Sequence, residues 1–308
     1  MIKVCQIGLG PIGKKIFDSI KSHSDIEVVG LFDKSADLIG KSLKDIEIYS
    51  TDEIERIIPE GSLVIVTTSS SIKGSLALFT RLLNHKVNIL STCEELFFPY
   101  ISHLEEAELL DQLAKKNNVR ILGTGINPGL LMDTLPLLLS TVNNIVDSIQ
   151  IDRIQDASTR RKPFQKKIGY GLNLEEFNQG VHNKTIRHVG LRESHDFLNH
   201  YLNFKVNEIK ESIEPIIRKE QILGVSQTII GLSDGDCKIK LKFDASIDEP
   251  SPMDRILIHG VPGLEMKISN AVQGDEGTIA VIINVIPALL KSTAGLKTMA
   301  DLTIPYKW

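Results

Sequence analysis

Two adjacent carboxylates, Glu94 and Glu95, follow an apolar run that ends in Ser91 and Thr92. A half-buried carboxylate at a strand end can take a proton from an amine or an alcohol, or hold a cationic carbon–nitrogen centre, while hydride passes to a nicotinamide. Two acids at a helix start also complement its dipole, and residue types alone leave both readings open. Near the N-terminus, Gly8, Gly10 and Gly13 form G-x-G-x-x-G, enclosing Pro11 and Ile12, and Asp33 follows about twenty residues on. Such a turn at the start of a helix holds a pyrophosphate on free backbone amides, and the acid accepts from ribose hydroxyls. Gly8 turns the chain, Gly10 removes a side chain beside the phosphate, and Gly13 lets helix and strand close up. An acid at position 33 repels a 2′-phosphate, so NAD is the expected form, while Lys34 and Ser35 keep NADP within reach.

Further polar groups fall where ligands gather in open α/β sheets, outside the carboxyl ends of strands. Thr67, Thr68 and Ser69, with Ser70 and Ser71, end one buried run, and Thr92 ends the next. They can line a cofactor crevice or cap the helix from Ile72, and the two roles are compatible. In the glycine-rich segment 123–129, Asn127 can orient a substrate, cap a helix starting at Pro128, or form part of a hinge. Arg153, Arg160 and Arg161 are candidates for a substrate carboxylate, with surface charge as the alternative. His188 and His259 are isolated, no pair has metal-ligand spacing, and no metal is expected.

These groups need a scaffold. Strands over Met1–Ile7, Ile26–Phe32, Ile46–Tyr49, Leu63–Thr67, Val87–Leu90 and Val119–Leu122 alternate with helices, including Ile72–Asn84 and Ile101–Asn117. Thr51 or Asp52 is the expected cap of the short helix through Arg56. The pattern predicts an α/β fold, a Rossmann-type doubly wound parallel sheet of about six strands. Beyond Asn127, residues 145–154 and 238–247 alternate as antiparallel strands do, with two more at Ile256–His259 and Leu264–Ile268. Polar helices are expected near 160–168 and 190–202, and an apolar one over Gly277–Lys291. The reading is a dinucleotide-binding domain, 1–127 completed by 277–308, and a second α+β domain, 128–276, with a largely antiparallel sheet for substrate binding and dimerisation.

With 308 residues, 42% hydrophobic and 24% charged, the chain suits two packed domains. A formal charge of -4 and a pI near 6.1 give no footprint for nucleic acid or an anionic membrane. The basic run Arg160, Arg161, Lys162, Lys166 and Lys167 reads as a solvated helix face, with an anion site as the alternative. Three scattered cysteines, Cys5, Cys93 and Cys237, fit neither a disulfide framework nor a zinc ribbon, which points to a reducing cytoplasm. No targeting segment or membrane-length apolar run is evident.

The chain resembles the 2,4-diaminopentanoate dehydrogenase family, which includes the native NAD(P)-dependent amine dehydrogenases. The residues that carry the resemblance are the glycine turn, Ser91-Thr92-Cys93-Glu94-Glu95-Leu96, Gly125-Ile126-Asn127-Pro128-Gly129 with Met132-Asp133, His188 through Ser194, Gly274-Asp275, and Gly295 through Met299. The resemblance implies reversible oxidative deamination: an amine, NAD(P)+ and water give a ketone, ammonia and NAD(P)H. It implies a catalytic glutamate in the Glu94–Glu95 pair, with Glu95 favoured because related sugar dehydrogenases place a lysine there. Asn127, Pro128 and His188 are the expected substrate residues beside Arg153, which residue type alone suggests, with small amines or ketones and ammonia as partners; a free edge of the second-domain sheet makes a homodimer the expected assembly. The fold also resembles dihydrodipicolinate reductase and homoserine dehydrogenase, but their catalytic motifs are missing. An alcohol dehydrogenase and a non-catalytic NAD-binding protein are the remaining alternatives.

Overall fold

The computed structural model describes residues 1–308 as two compact units, Met1–Leu130 with Gly274–Trp308, and Leu131–Gln273. In chain order the first unit begins with β1 (Ile2–Ile7), α1 (Pro11–Lys21), β2 (Ile26–Asp33), β3 (Ser42–Leu43), β4 (Ile46–Ser50) and α2 (Ile54–Ile57). It continues with β5 (Leu63–Val66), α3 (Ile72–Asn84), β6 (Asn88–Ser91), α4 (Leu104–Lys116) and β7 (Arg120–Gly123). The second unit holds α5 (Thr134–Leu139), β8 (Ile145–Asp156), α6 (Lys162–Lys167), α7 (Leu174–His182), α8 (Leu191–Leu202), β9 (Glu208–Arg218), β10 (Gln221–Ser233), β11 (Asp236–Ser246), β12 (Met253–Val261) and β13 (Leu264–Ser269). The chain then returns to the first unit as α9 (Gly274–Lys291) and β14 (Gly295–Lys297).

The first unit is a doubly wound α/β fold whose eight strands run in the order β14-β7-β6-β5-β1-β2-β4-β3. Every pair is parallel except β3 with β4. The expected six strands become eight because two short ones, Ser42–Leu43 and Gly295–Lys297, extend the edges. All four residues of β5 are buried, as a strand covered on both faces requires. One side of the sheet packs Val64, Val66 and Ile89 against Phe79, Leu82, Leu83 and Leu110 in a continuous apolar cluster. Ser71 caps α3, accepting the Gly74 amide, and Ser50 and Glu53 form a capping box at the short helix after β4. Ser50 therefore takes the role expected of Thr51 or Asp52.

The second unit carries a six-stranded sheet, β13-β12-β8-β11-β10-β9. It is antiparallel apart from β8 and β11, which pair in parallel from Ile149–Ile239 to Asp156–Ser246. Alternation revealed both strands but not their relative direction, because side-chain period is the same in parallel and antiparallel ladders. The long β9–β10 hairpin and helix α7 add to the strands and helices expected from the sequence. Asn173 and Glu176 build a capping box that starts α7. No helix is long and apolar enough to cross a membrane.

Candidate active site

The glycine turn after β1 is held from three directions. Gly8 has φ +96° and donates its amide to Phe32 O at 2.9 Å. Its carbonyl accepts from Thr67 Oγ1 at 2.8 Å and Gln6 Nε2 at 3.2 Å, and the Gln6 amide also reaches Gly13 O at 2.6 Å. A Cβ on Gly13 would lie 2.1 Å from Gly8 O, so only glycine lets α1 approach this closely. At Gly10 an added Cβ meets nothing within 4 Å. That open space lies at the N-cap of α1, whose first turn contains Pro11 and Ile12 and no acidic side chain. These residues fit a dinucleotide: free first-turn amides and helix dipole face a space kept clear of Cβ and negative charge. Asp33 stands beside the turn, with Oδ2 accepting the Leu9 amide at 2.8 Å and Oδ1 the Ser35 amide at 2.9 Å. Lys34 is exposed next to it.

Thr67 thus closes the glycine turn, Thr68 is exposed, and Ser69 accepts the Ser71 amide at 3.1 Å. Thr92 is anchored to β5 through its amide and Val66 O at 3.1 Å. Ser91 Oγ donates to that same carbonyl at 3.0 Å and accepts the Cys93 amide at 3.1 Å, so the chain leaves β6 along a fixed path. A 3₁₀ turn, Glu94–Leu96, follows. It rests on Gly123, where a Cβ would come within 2.7 Å of Leu96.

Within this turn both acids are half-buried. Glu95 donates its amide to Ser70 O at 3.2 Å, and its Oε2 accepts the amide of Ile72, the first residue of α3, at 2.9 Å. His103 Nε2 lies 3.4 Å from the same oxygen, while Oε1 has no hydrogen-bond partner within the protein. The acid therefore complements a helix dipole, as expected of one reading, but the dipole is that of the preceding helix. Cys93, buried beneath, has its thiol pushed well above the ordinary range by desolvation and the nearby Glu94 charge. It remains a neutral packing group.

Asn127 and Pro128 are buried in the first unit, where the neighbouring Ile126 amide donates to Thr278 Oγ1 at 3.3 Å. No helix begins at Pro128: the next one starts at Thr134, capped by Asp133, which accepts its amide at 2.6 Å. The cap function expected of Asn127 belongs to Asp133, whose other oxygen accepts from Ser194 Oγ at 2.8 Å.

In the second unit, the half-buried His188 stacks on Phe243 with ring centroids 4.2 Å apart. Gln227 brackets its backbone, accepting the amide at 2.7 Å and donating to the carbonyl at 3.3 Å. Desolvation, then the positive charges of Arg153, Lys167 and Arg160, push its pKa down to about 3. His188 is therefore a neutral imidazole at physiological pH. Arg153 departs from its expected role as an open carboxylate clamp. It is 2% exposed, and its fork is spent on Asp254 Oδ1 at 2.7 Å and Val272 O at 2.9 Å. Asp254 Oδ2 accepts the Val272 amide at 2.8 Å, which closes the unit. Burial draws the Arg153 pKa down and the Asp254 pKa up, against their mutual attraction. Arg160 lies over the Phe164 ring at 4.1 Å, and Arg161 is the N-cap residue of α6. No group of three or more His, Cys, Asp or Glu side chains is arranged to hold a metal ion.

Gln6, His103 and Asp133 are the structural contributors that residue-type reasoning passed over. Gln6 carried a signal, a lone amide in the apolar stretch 4–7 just before the glycine turn; His103 carried none.

A Rossmann sheet with this glycine turn and Asp33, in a chain that also carries a mixed α+β unit, is the architecture of the two-domain nicotinamide-dependent dehydrogenases. Residues 130–308 match the family described as the 2,4-diaminopentanoate dehydrogenase C-terminal domain. The 2,4-diaminopentanoate dehydrogenase of Acetoanaerobium sticklandii is 32% identical over 333 aligned positions, covering 99% of this chain and 94% of that one. The chain belongs to the 2,4-diaminopentanoate dehydrogenase family and is an oxidoreductase acting on CH–NH2 donors. In fold it is similar to an amine dehydrogenase from Mycobacterium smegmatis, with a TM-score of 0.84, 18% identity, and 99% and 97% of the two chains covered. It is also similar to an engineered D-amino acid dehydrogenase bound to NADP+, with a TM-score of 0.52, 10% identity, and 98% and 94% covered.

Proposed function

We propose that this enzyme interconverts an amine with its ketone and ammonia, and that its substrate is a diamino acid resembling 2,4-diaminopentanoate. The name and similarity of the Acetoanaerobium relative support that substrate class. The observation that carries the reading is the Glu95 carboxylate, half-buried, fixed through one oxygen and unpartnered at the other. An anion so placed holds an ammonium or iminium where a lysine would repel it, and accepts its proton. Glu94, in the same turn, is the second candidate for this role. When bound, the nicotinamide supplies or accepts the hydride.

In the first unit the glycine turn, Pro11, Ile12, Thr67, Thr68, Ser69 and Thr92 are the nucleotide residues, and Asn127 and Pro128 are substrate residues; in the second unit the substrate residue is His188. The first unit is the dinucleotide-binding domain and the second the substrate domain. His188, neutral in this environment, orients substrate rather than donating a proton. NAD is the preferred coenzyme because the Asp33 carboxylate disfavours a 2′-phosphate, with the exposed Lys34 favouring NADP as the second reading. Three free cysteines fit a reducing cytoplasm. The free edges of the second-unit sheet, β13 and β9, support assembly as a homodimer.

The test is NAD(P)H oxidation with a panel of small and amino-substituted ketones, with and without ammonium, on wild type, Glu95→Ala and Glu94→Ala. Ammonium-dependent oxidation that drops by about 10²–10⁴-fold in a glutamate variant is expected. Equal oxidation without ammonium removes the amine reading.

A further inference from the structure

Two groups of very different kind face Oε2 of the Glu95 carboxylate. One is the backbone amide of Ile72, which any residue at position 72 other than proline would supply. The other is the His103 imidazole, presented from the residue before α4, with both side chains only 16% exposed. Three further details bear on what His103 does. Its side chain makes no capping hydrogen bond to α4, so the helix does not need it. Its Nδ1 is buried without a partner. Its backbone is fixed independently, the amide donating to Pro99 O at 2.9 Å and the carbonyl accepting the Ala107 amide at 2.9 Å.

An unpartnered buried nitrogen is a cost that packing alone does not require. It is lowest when Nδ1 is the bare acceptor and Nε2 carries the proton, which is the tautomer that turns an N–H toward Glu95 Oε2 across the 3.4 Å contact. From this geometry we infer that His103 is a positioning residue for the reaction: its Nε2–H, with the Ile72 amide, fixes the plane of the Glu95 carboxylate and leaves Oε1 as the oxygen presented to substrate. The inference rests on the reading of Glu95 as the acid that meets the substrate nitrogen. The two groups converge on Oε2 from separate segments, the amide from the start of α3 and the imidazole from the approach to α4. Removing the imidazole leaves a carboxylate pinned at one point and free to swing about it. Misplacement of a reacting group by about 1 Å costs up to about 10²-fold.

The test compares His103→Leu, which removes the donor, with His103→Gln, whose amide can donate from a similar distance. The expected result is a kcat for amine oxidation reduced about 10- to 100-fold in the leucine variant, with most of the rate restored by glutamine. Nucleotide affinity, read by fluorescence, and the melting temperature should stay at wild-type values in both. In a Glu95→Gln background, His103→Leu should cause little further loss, because both act at one carboxylate. A readout independent of turnover is the ¹⁵N spectrum of labelled histidine, in which the His103 signals should report an Nε2–H tautomer and shift on Glu95→Gln. Unchanged kcat in His103→Leu, multiplied losses in the double variant, or a loss of rate that tracks lost nucleotide binding or melting temperature would each overturn the inference. Wild-type turnover independent of ammonia would instead defeat the amine reading itself, without reference to His103.

Discussion

Asp33 Oδ2 accepts the Leu9 amide at 2.8 Å, which ties the acid at the end of β2 to the glycine turn after β1. With Oδ1 on the Ser35 amide, the carboxylate is oriented before any nucleotide arrives. Replacing it by serine removes the charge opposed to a 2′-phosphate and loosens Leu9 together. Hydrogen bonds to a charged partner contribute about 1.5–3 kcal/mol, so the apparent affinity for NAD should fall about 10- to 100-fold in Asp33→Ser. The NADP/NAD ratio of kcat/KM should rise in the same variant. Steady-state kinetics with both coenzymes provide the check; an unchanged ratio would remove Asp33 as the selector.

Gly10 and Gly13 are three residues apart and should respond in opposite ways. Alanine at Gly13 places its Cβ 2.1 Å from Gly8 O and 2.7 Å from Thr67 Oγ1, with backbone as the first obstacle. Overpacking of this kind destabilises by about 1–3 kcal/mol, so Gly13→Ala should lower the melting temperature. Alanine at Gly10 meets nothing and has φ -64°, which any residue adopts. Gly10→Ala should therefore fold normally and lose nucleotide affinity by about tenfold or more, about 1.4 kcal/mol. Calorimetry and nucleotide titration together separate the two effects.

The contrast shows what the sequence could and could not reveal. Glycine spacing, Asp33 and the serine cap before Ile72 depend on local geometry, so they were legible, as were the six inner strands of the first sheet. The contact between Glu95 and His103 depends on where α3 and α4 pack, and nothing in the spacing of the two residues encodes it. Arg153 and Asp254 are 101 residues apart and meet only through the register of β8 with β12. A lone arginine in an alternating strand reads equally well as an open clamp. The parallel pairing of β8 and β11 was hidden for a related reason, since alternation reports faces and not directions.

His188 yields a pH prediction whose sign follows from its depressed pKa. The unfolded chain binds a proton at this histidine near its ordinary value of 6.5, whereas the folded chain resists it until about 3. Between those values the unfolded state holds more protons, so stability falls as pH is lowered through that window. His188→Phe retains an aromatic stack on Phe243 and removes the titration. Melting temperatures from pH 7 to pH 4 should fall less steeply in His188→Phe than in wild type. Parallel curves would show that the imidazole is not held neutral.

The Arg153–Asp254 pair separates two roles that a single substitution confounds. If the arginine bound substrate carboxylate, any replacement would damage catalysis whatever became of Asp254. In the structure its donors are committed to Asp254 and Val272, so the pair acts as an internal brace. Arg153→Met alone leaves a buried, uncompensated aspartate and should cost about 3–5 kcal/mol. Arg153→Met with Asp254→Leu removes both charges and should recover part of that stability, the remainder being the cost of the Val272 amide and carbonyl losing their side-chain partners. The decisive measurement is KM for an amino acid substrate in the double variant. A value near wild type confirms the brace, whereas a KM raised tenfold, about 1.4 kcal/mol, in a stably folded double variant would return Arg153 to the substrate site.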